Sequence, residues 1–310
     1  MVKWGCGDNM KIAFIYNPES GSGKITLLLD WINNQFSSYN HELTFIATKK
    51  PKDAQLYAAE HKEFDMLLVA GGDGTLNEVV TGIMENEKRP IIGYIPTGTV
   101  NDVGHMLGIP TNIKKAVKMM LDKPKIREVD VTKINSHYFV YAAATGKFAK
   151  ASYDVARKDK KRFGFWAYYK SGSKEIFKDY KIPVKATFDE GVFEGECALI
   201  LFLNGPRVGG FKLFNMKSKL DDGLIEARFF KREPGVLFRL LGFFFSGGLY
   251  STRKNKTIHS SKYTLEIPKD VEWNTDGELS CKGSVRLEVV PKAIKILTHP
   301  TKHKRYFTKQ

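Results

Sequence analysis

Val69-Ala70-Gly71-Gly72-Asp73-Gly74-Thr75-Leu76-Asn77-Glu78 decides how this chain is read. Before it, Asp65–Ala70 is an apolar run of strand length. After it, Thr75–Met84 places Leu76, Val79, Val80 and Ile83 at i, i+3, i+4 and i+7, the spacing of a helix with one apolar face. A buried strand therefore runs into three glycines and an aspartate and opens a helix. Glycines let a backbone turn tightly and approach a ligand closely. The free N–H groups of the helix that follows favour phosphate. Asp73 sits just ahead of that helix, where a carboxylate suits the dipole and can cap N–H groups. It could also hold Mg2+ on bound phosphates, because a hard cation prefers carboxylate oxygen. An ordinary strand–turn–helix corner needs one glycine, not three.

The alternation continues on both sides. Lys11–Tyr16, Leu43–Ala47 and Ile91–Ile95 read as further strands, and Lys24–Gln35 and Pro51–Glu60 as helices. Thr111–Leu121 is a helix stopped by Pro124, and Ile126–Ile134 a strand. Short apolar runs alternating with amphipathic stretches predict a parallel sheet with covering helices. A second polar loop, Pro96-Thr97-Gly98-Thr99-Val100-Asn101-Asp102, again follows a buried strand. In a parallel sheet, loops at the carboxyl ends of strands face one crevice. Asn17-Pro18-Glu19-Ser20-Gly21-Ser22-Gly23-Lys24 follows the first strand but fails the P-loop pattern. Pro18 stands where the first glycine belongs, and Ile25 replaces the Mg2+-binding hydroxyl. As a small glycine-rich turn at a helix start it still suits a nucleotide.

After Asn135 the character changes to short strands: Tyr138–Ala144, Val184–Phe188, Cys197–Asn204, Leu224–Phe230, Tyr263–Ile267 and Val285–Val290. Turn-rich stretches such as Asp221-Asp222-Gly223 and Asp276-Gly277 join them, which predicts a mostly antiparallel β domain. The expected division is a nucleotide-binding α/β domain over 10–134, to which 293–310 can return, and a β-rich substrate domain over 135–292. Residues 1–9 are expected to be a disordered extension.

The 310 residues carry a net charge of +15, which attracts polyanions, either nucleic acid or an anionic membrane leaflet. No element that would read nucleic acid is evident. Three scattered cysteines argue against a disulfide framework and against zinc, and suit a reducing compartment. The longest greasy segment, Pro234–Tyr250, is interrupted by Arg239 and glycines and is shorter than the ~20 residues a spanning helix needs.

The three loops together resemble the diacylglycerol kinase catalytic-domain family, particularly its soluble bacterial lipid kinases. The carriers are N-P-x-S-G at Asn17–Gly21, G-G-D-G-T-x-N-E at Gly71–Glu78 and P-x-G-T-x-N-D at Pro96–Asp102. Lys219-Leu220-Asp221-Asp222-Gly223-Leu224 and Asp276-Gly277-Glu278 match two later family motifs in order. The resemblance implies the two-domain fold of the NAD kinase and diacylglycerol kinase type, and an Mg2+- and ATP-dependent kinase that phosphorylates a lipid hydroxyl, foremost that of diacylglycerol. It implies an ATP site lined by Asn17, Pro18, Glu19, Ser20, Gly21, Thr48, Gly72, Asp73, Gly74, Thr75, Leu76, Asn77, Glu78 and Thr99. Asp73 and Asp102, with Asp130, would build a carboxylate and Mg2+–water network. Asp222, with the carbonyls of Lys219 and Leu224, would hold a second, structural Mg2+. Asp276 and Glu278 would sit at the acceptor hydroxyl, one of them as general base. If that segment is extended the two side chains point the same way; a turn at Gly277 would split them. Two departures stand out: Val103-Gly104-His105 replaces an apolar residue, Ala and Arg, and Asn215–Ser218 lacks a usual proline and alanine.

Such an enzyme is expected in the cytoplasm, at the membrane periphery, and a homodimer is compatible with it. Lys160–Tyr180 interleaves aromatic and basic residues as interfacial segments do, and Leu237–Tyr250 carries Phe238, Leu240, Leu241, Phe243, Phe244 and Phe245 around Arg239. Both stretches serve equally well as core. The competing readings are an NAD kinase, which shares G-G-D-G-T, and a non-enzymatic lipid-binding protein on a kinase scaffold.

Overall fold

A computed structural model describes residues 9–60, 63–122, 124–147, 179–214, 216–250 and 255–308. The expected N-terminal extension, except Asn9, and residues 160–178 of the aromatic–basic stretch lie outside the described residues. The chain forms two compact units, Met1–Asp130 with Pro291–Gln310, and Val131–Val290.

In the first unit, β1 (Lys11–Tyr16), β2 (Glu42–Ala47), β3 (Met66–Gly71) and β4 (Ile91–Pro96) pair in parallel in the order β2-β1-β3-β4. Every residue of β3 is buried, as expected for a strand covered on both faces. The returning strand β17 (Val285–Thr298) pairs with β4 at Ile296 and Ile92. Helix α3 (Asp73–Met84) buries Leu76, Val79, Val80 and Ile83, the face its spacing predicts. Helix α2 (Asp53–Glu60) lies against it at Gly82, where a Cβ would run into the Gln55 carbonyl and Ala58.

The helix expected over Lys24–Gln35 is shorter. Two 3-10 turns, Ser20–Gly23 and Thr26–Leu28, precede α1 (Leu29–Ser37). Gly21 and Gly23 hold left-handed φ of 63° and 71°, and the Thr26 hydroxyl donates to the Gly23 carbonyl at 2.6 Å, so the α-helical ladder starts late. Helices α4 (Asp102–Met106) and α5 (Ile113–Asp122) lead into β5 (Lys125–Ile134). The change of unit at Asp130 falls inside β5, a position that no shift in composition marks.

The second unit is antiparallel throughout its described pairings. Its centre is β9 (Gly191–Leu203), which pairs with β7 (Ala142–Gly146), β8 (Ile182–Phe188) and β12 (Ile225–Lys231). The hairpin of β15 (Glu272–Thr275) and β16 (Glu278–Lys282) joins β7, and β14 (Lys262–Glu266) bridges β8 and β17. Further short strands are β6 (His137–Phe139), the pair β10 (Arg207–Val208) and β11 (Phe211–Lys212), and β13 (Lys256–Ser260) beside β12. The core is aromatic. Phe202 packs edge-on against Phe229 and Tyr263, and the buried Tyr263 hydroxyl donates to the Ile225 and Ile258 carbonyls. The single strand expected over Tyr138–Ala144 is two strands separated by a bend at Val140 and Tyr141.

Helix α6 (Val236–Phe245) buries Leu240, Phe243 and Phe244 and leaves Phe238 and Phe245 largely exposed. Of the aromatic side chains on this stretch that could meet a membrane, Phe243 and Phe244 are therefore core.

Candidate active site

Three loops of the first unit meet at the ends of β1, β3 and β4. Backbone bonds bring them together: Asn17 N–H donates to the Ala70 carbonyl at 3.0 Å, and Thr97 and Gly98 N–H to the Gly71 carbonyl at 2.8 and 3.2 Å. Side chains reinforce them, with the Thr97 hydroxyl 2.9 Å from that of Ser20. The contact is close because glycines form it. A Cβ on Gly98 would stand 2.5 Å from Gly72 Cα, and one on Gly21 2.8 Å from the Thr97 carbonyl oxygen. Asn17 shapes its own turn by accepting Glu19 N–H at its side-chain oxygen. Thr48 lies at the end of β2, where its N–H donates to the Tyr16 carbonyl at 2.9 Å.

Gly72, the N-cap of α3, is extended and, as a glycine, brings no side-chain cap of its own. Its first turn, Asp73-Gly74-Thr75, thus carries N–H groups suited to phosphate. Asp73 is the first residue of α3 and not ahead of it. Its carboxylate turns to another helix: Oδ2 accepts Asp102 N–H at 2.9 Å and Oδ1 accepts Val103 N–H at 3.2 Å, which caps α4. Asp102 is fully buried, and Asn101 before it holds a left-handed φ of 52° with its amide on the Gly98 carbonyl. Beneath both carboxylates lies Tyr94, whose hydroxyl is pushed well above its ordinary pKa by burial and by the charges of Asp73 and Asp102. Tyr94, Thr97 and Asn101 are site-building residues absent from the expected ATP-site residues. The signal for Tyr94 was a tyrosine inside the otherwise aliphatic buried run Ile91–Ile95.

Other expected residues sit differently. Thr99 is exposed on its loop, and Leu76 is buried under the glycine turn. Glu78 accepts the Lys52 N–H at the entry of α2, at 3.0 Å. Asp130 is fully buried on β5 and accepts the N–H of Lys292, which has a left-handed φ of 51° where the chain returns.

In the second unit the alternatives for Asp276 and Glu278 separate. Asp276 and Gly277 form the β15–β16 turn with φ of 49° and 94°. Asp276 is 4% exposed, and its carboxylate takes three backbone N–H groups, from Val140 at 2.6 Å, Tyr141 at 3.1 Å and Ala142 at 3.0 Å. It makes the bend between β6 and β7. Glu278, past the turn, is exposed. The Asp222 carboxylate accepts N–H from Lys219 at 3.0 Å and Leu224 at 3.1 Å, closing its own turn, and burial pushes its pKa up. No cluster of three His, Cys, Asp or Glu occurs among the described residues. One carboxylate with neighbouring carbonyls is an all-oxygen donor set, which fits Mg2+ completed by water. The carboxylates of Asp73 and of the fully buried Asp102, near the start of α3, fit an Mg2+ on a phosphate held through water.

The model of the diacylglycerol kinase catalytic domain matches residues 11–134. A diacylglycerol kinase of Staphylococcus carnosus is 40% identical over 67% of this chain and 69% of its own length. One from Staphylococcus epidermidis is 34% identical over 92% of this chain and 90% of its own. The chain belongs to the diacylglycerol kinase family. The crystal structure of a diacylglycerol kinase from Bacillus anthracis has the same fold, with a TM-score of 0.78 at 28% identity over 94% of this chain and 98% of that one. The two-unit architecture, α/β with a parallel sheet and then mostly antiparallel β, is the family's own, and the resemblance in the three loops was a true guide to it.

Proposed function

We propose that the protein transfers the γ-phosphate of ATP, with Mg2+, to the free hydroxyl of diacylglycerol in a membrane and so forms phosphatidic acid. The observation that carries this reading is the meeting of three glycine-bearing loops around the glycine-capped start of α3, in a chain of the diacylglycerol kinase family.

The loops 17–23, 71–75 and 96–102 offer N–H groups and hydroxyls to the triphosphate, and Thr48 adds one beside Asn17. Asp73 and Asp102 would hold the catalytic Mg2+; Asp222, Lys219 and Leu224 would hold a structural one. When bound, the catalytic ion neutralises charge on the phosphates, which with positioning is most of what phosphoryl transfer needs. Glu278 is the general base. Its carboxylate takes the proton of the acceptor hydroxyl as that oxygen bonds to the γ-phosphorus and the bond to the bridging oxygen of ADP breaks. Asp276, occupied by three N–H groups, positions the turn that carries Glu278. The enzyme works at the membrane periphery on the cytoplasmic side, where ATP is found.

The test is incubation with γ-labelled ATP and a panel of diacylglycerol, phosphatidylglycerol, a sphingoid base and an isoprenoid alcohol in mixed micelles, with Mg2+ or with EDTA. Label in phosphatidic acid that EDTA abolishes is expected. Label on NAD and on no lipid would overturn the reading.

A further inference from the structure

The outer side of α6 is largely exposed, and that is anomalous for its sequence. Arg239 is the one charged residue among VLFRLLGFFF, so apolar groups lie all round the helix. A helix of that kind is expected to be covered on every side. The protein covers one side. Phe243 packs edge-on against Phe230 at 5.0 Å with the Arg228 guanidinium 5.1 Å over its ring, and Phe211 packs on Phe244 at 5.3 Å. On the other side Phe238 is 77% exposed; Phe245, seven residues on in the same stripe, is 62% exposed although Phe211 also meets it edge-on at 5.9 Å.

The chain beyond the helix enlarges this face. Ser246 Oγ accepts Tyr250 N–H at 2.8 Å, and the Tyr250 ring lies on Gly242, where a Cβ would stand 3.0 Å from it. Leu249 and Tyr250 remain 67% and 55% exposed. Phe214, 58% exposed, is tied alongside by its N–H on the Gly247 carbonyl at 2.6 Å. Single exposed apolar residues are ordinary, but a contiguous aromatic patch marks an interaction surface.

We infer that this face, made by Phe238, Phe245, Phe214, Leu249 and Tyr250, is the surface that seats the protein on an anionic lipid bilayer. A ten-residue helix is about 15 Å long, half of what crossing requires, and among the described residues no helix is long and apolar enough to span a membrane. It lies in the interface instead, aromatic groups at headgroup depth. Positive charge accompanies the patch: Lys212 Nζ stands 5.0 Å over the Phe214 ring and the whole chain is at +15, while Arg239 on the helix is paired with Glu233 just before it. Such cations reach anionic headgroups while their apolar stems stay with the aromatic rings. The choice of a bilayer over a protein partner rests on the proposed lipid acceptor.

The test compares wild type with Phe238→Ser/Phe245→Ser by sedimentation with vesicles of phosphatidylcholine and phosphatidylglycerol. Melting temperature, solution mass and turnover of a short-chain diacylglycerol dissolved in water are measured beside it. The pair should lose roughly tenfold or more in vesicle affinity with the other three readings unchanged. Unchanged vesicle affinity, or a drop in mass showing that the face joins two copies, overturns the inference. If the wild type phosphorylates no diacylglycerol yet the variant loses vesicle binding, the proposed function fails while the surface stands. Should the pair fail to fold, Phe238→Trp replaces it. Its added emission should shift to the blue with vesicles, and no shift is equally fatal.

Discussion

The Asp73 carboxylate caps the helix that begins at Asp102, through N–H···O bonds of 2.9 Å from Asp102 and 3.2 Å from Val103. One carboxylate thus fixes the 96–102 loop against the 71–75 loop from the first turn of α3. Sequence reasoning alone gives Asp73 to the helix that follows it and to Mg2+; the geometry turns its carboxylate to the start of a different helix.

Asp73→Asn is accordingly expected to lose phosphoryl transfer and also some stability. The new amide can present one oxygen, but its NH2 group then faces a backbone N–H. Loss of such a cap costs about 1 kcal/mol, to be read from the denaturant midpoint beside kcat. Wild-type activity in this variant would remove Asp73 from the phosphate site.

Gly98→Ala tests the meeting of loops with no change of charge. Its Cβ would stand 2.5 Å from Gly72 Cα and 2.8 Å from Asn101 Oδ1. The first neighbour is backbone and yields only by separating the loops. A displacement near 1 Å can cost about 10²-fold in rate, and kcat/KM for ATP is expected to fall by that order. An unaltered value would show that the loops need not touch.

The hairpin turn at Asp189 supplies a pH dependence. Its carboxylate takes hydrogen bonds from the Ser260 hydroxyl at 2.6 Å and from the Ser261 N–H and hydroxyl at 2.9 Å each, which hold its pKa below the ordinary 3.8. A carboxyl depressed in the folded state stabilises it above the unfolded pKa, and that contribution fades as pH falls through the folded value. Asp189→Asn should therefore melt below wild type at neutral pH and approach it below about pH 3.8. A melting difference that stays constant across this range would contradict the bonding described.

Much of this was legible because it is local. Strands β1 and β3 follow from apolar runs, α3 from its spacing, and the meeting loops from glycines that must sit where backbones touch. What was not legible depends on distant partners. Nothing near Asp276 says that its carboxylate will be claimed by the N–H groups of Val140, Tyr141 and Ala142, between 134 and 136 residues away. The same distance hid the bend that splits β6 from β7. On α6 a helix that is apolar all round has no period to show which face is covered, so Phe243 and Phe238 look alike in the sequence and differ in the fold.

The split between Asp276 and Glu278 gives the most direct test of the central claim, measured as kcat for diacylglycerol phosphorylation together with melting temperature. Glu278 is exposed and Asp276 is buried in a cage of N–H groups. Asp276→Asn should lower the melting temperature, since disturbing a buried hydrogen-bonded group costs about 1–3 kcal/mol, and activity should fall with it. Glu278→Gln should leave the melting temperature unchanged, leave KM for ATP nearly so, and lower kcat by about 10²–10⁴-fold, the usual share of a general base. A Glu278→Gln enzyme that phosphorylates diacylglycerol at the wild-type rate would contradict the account.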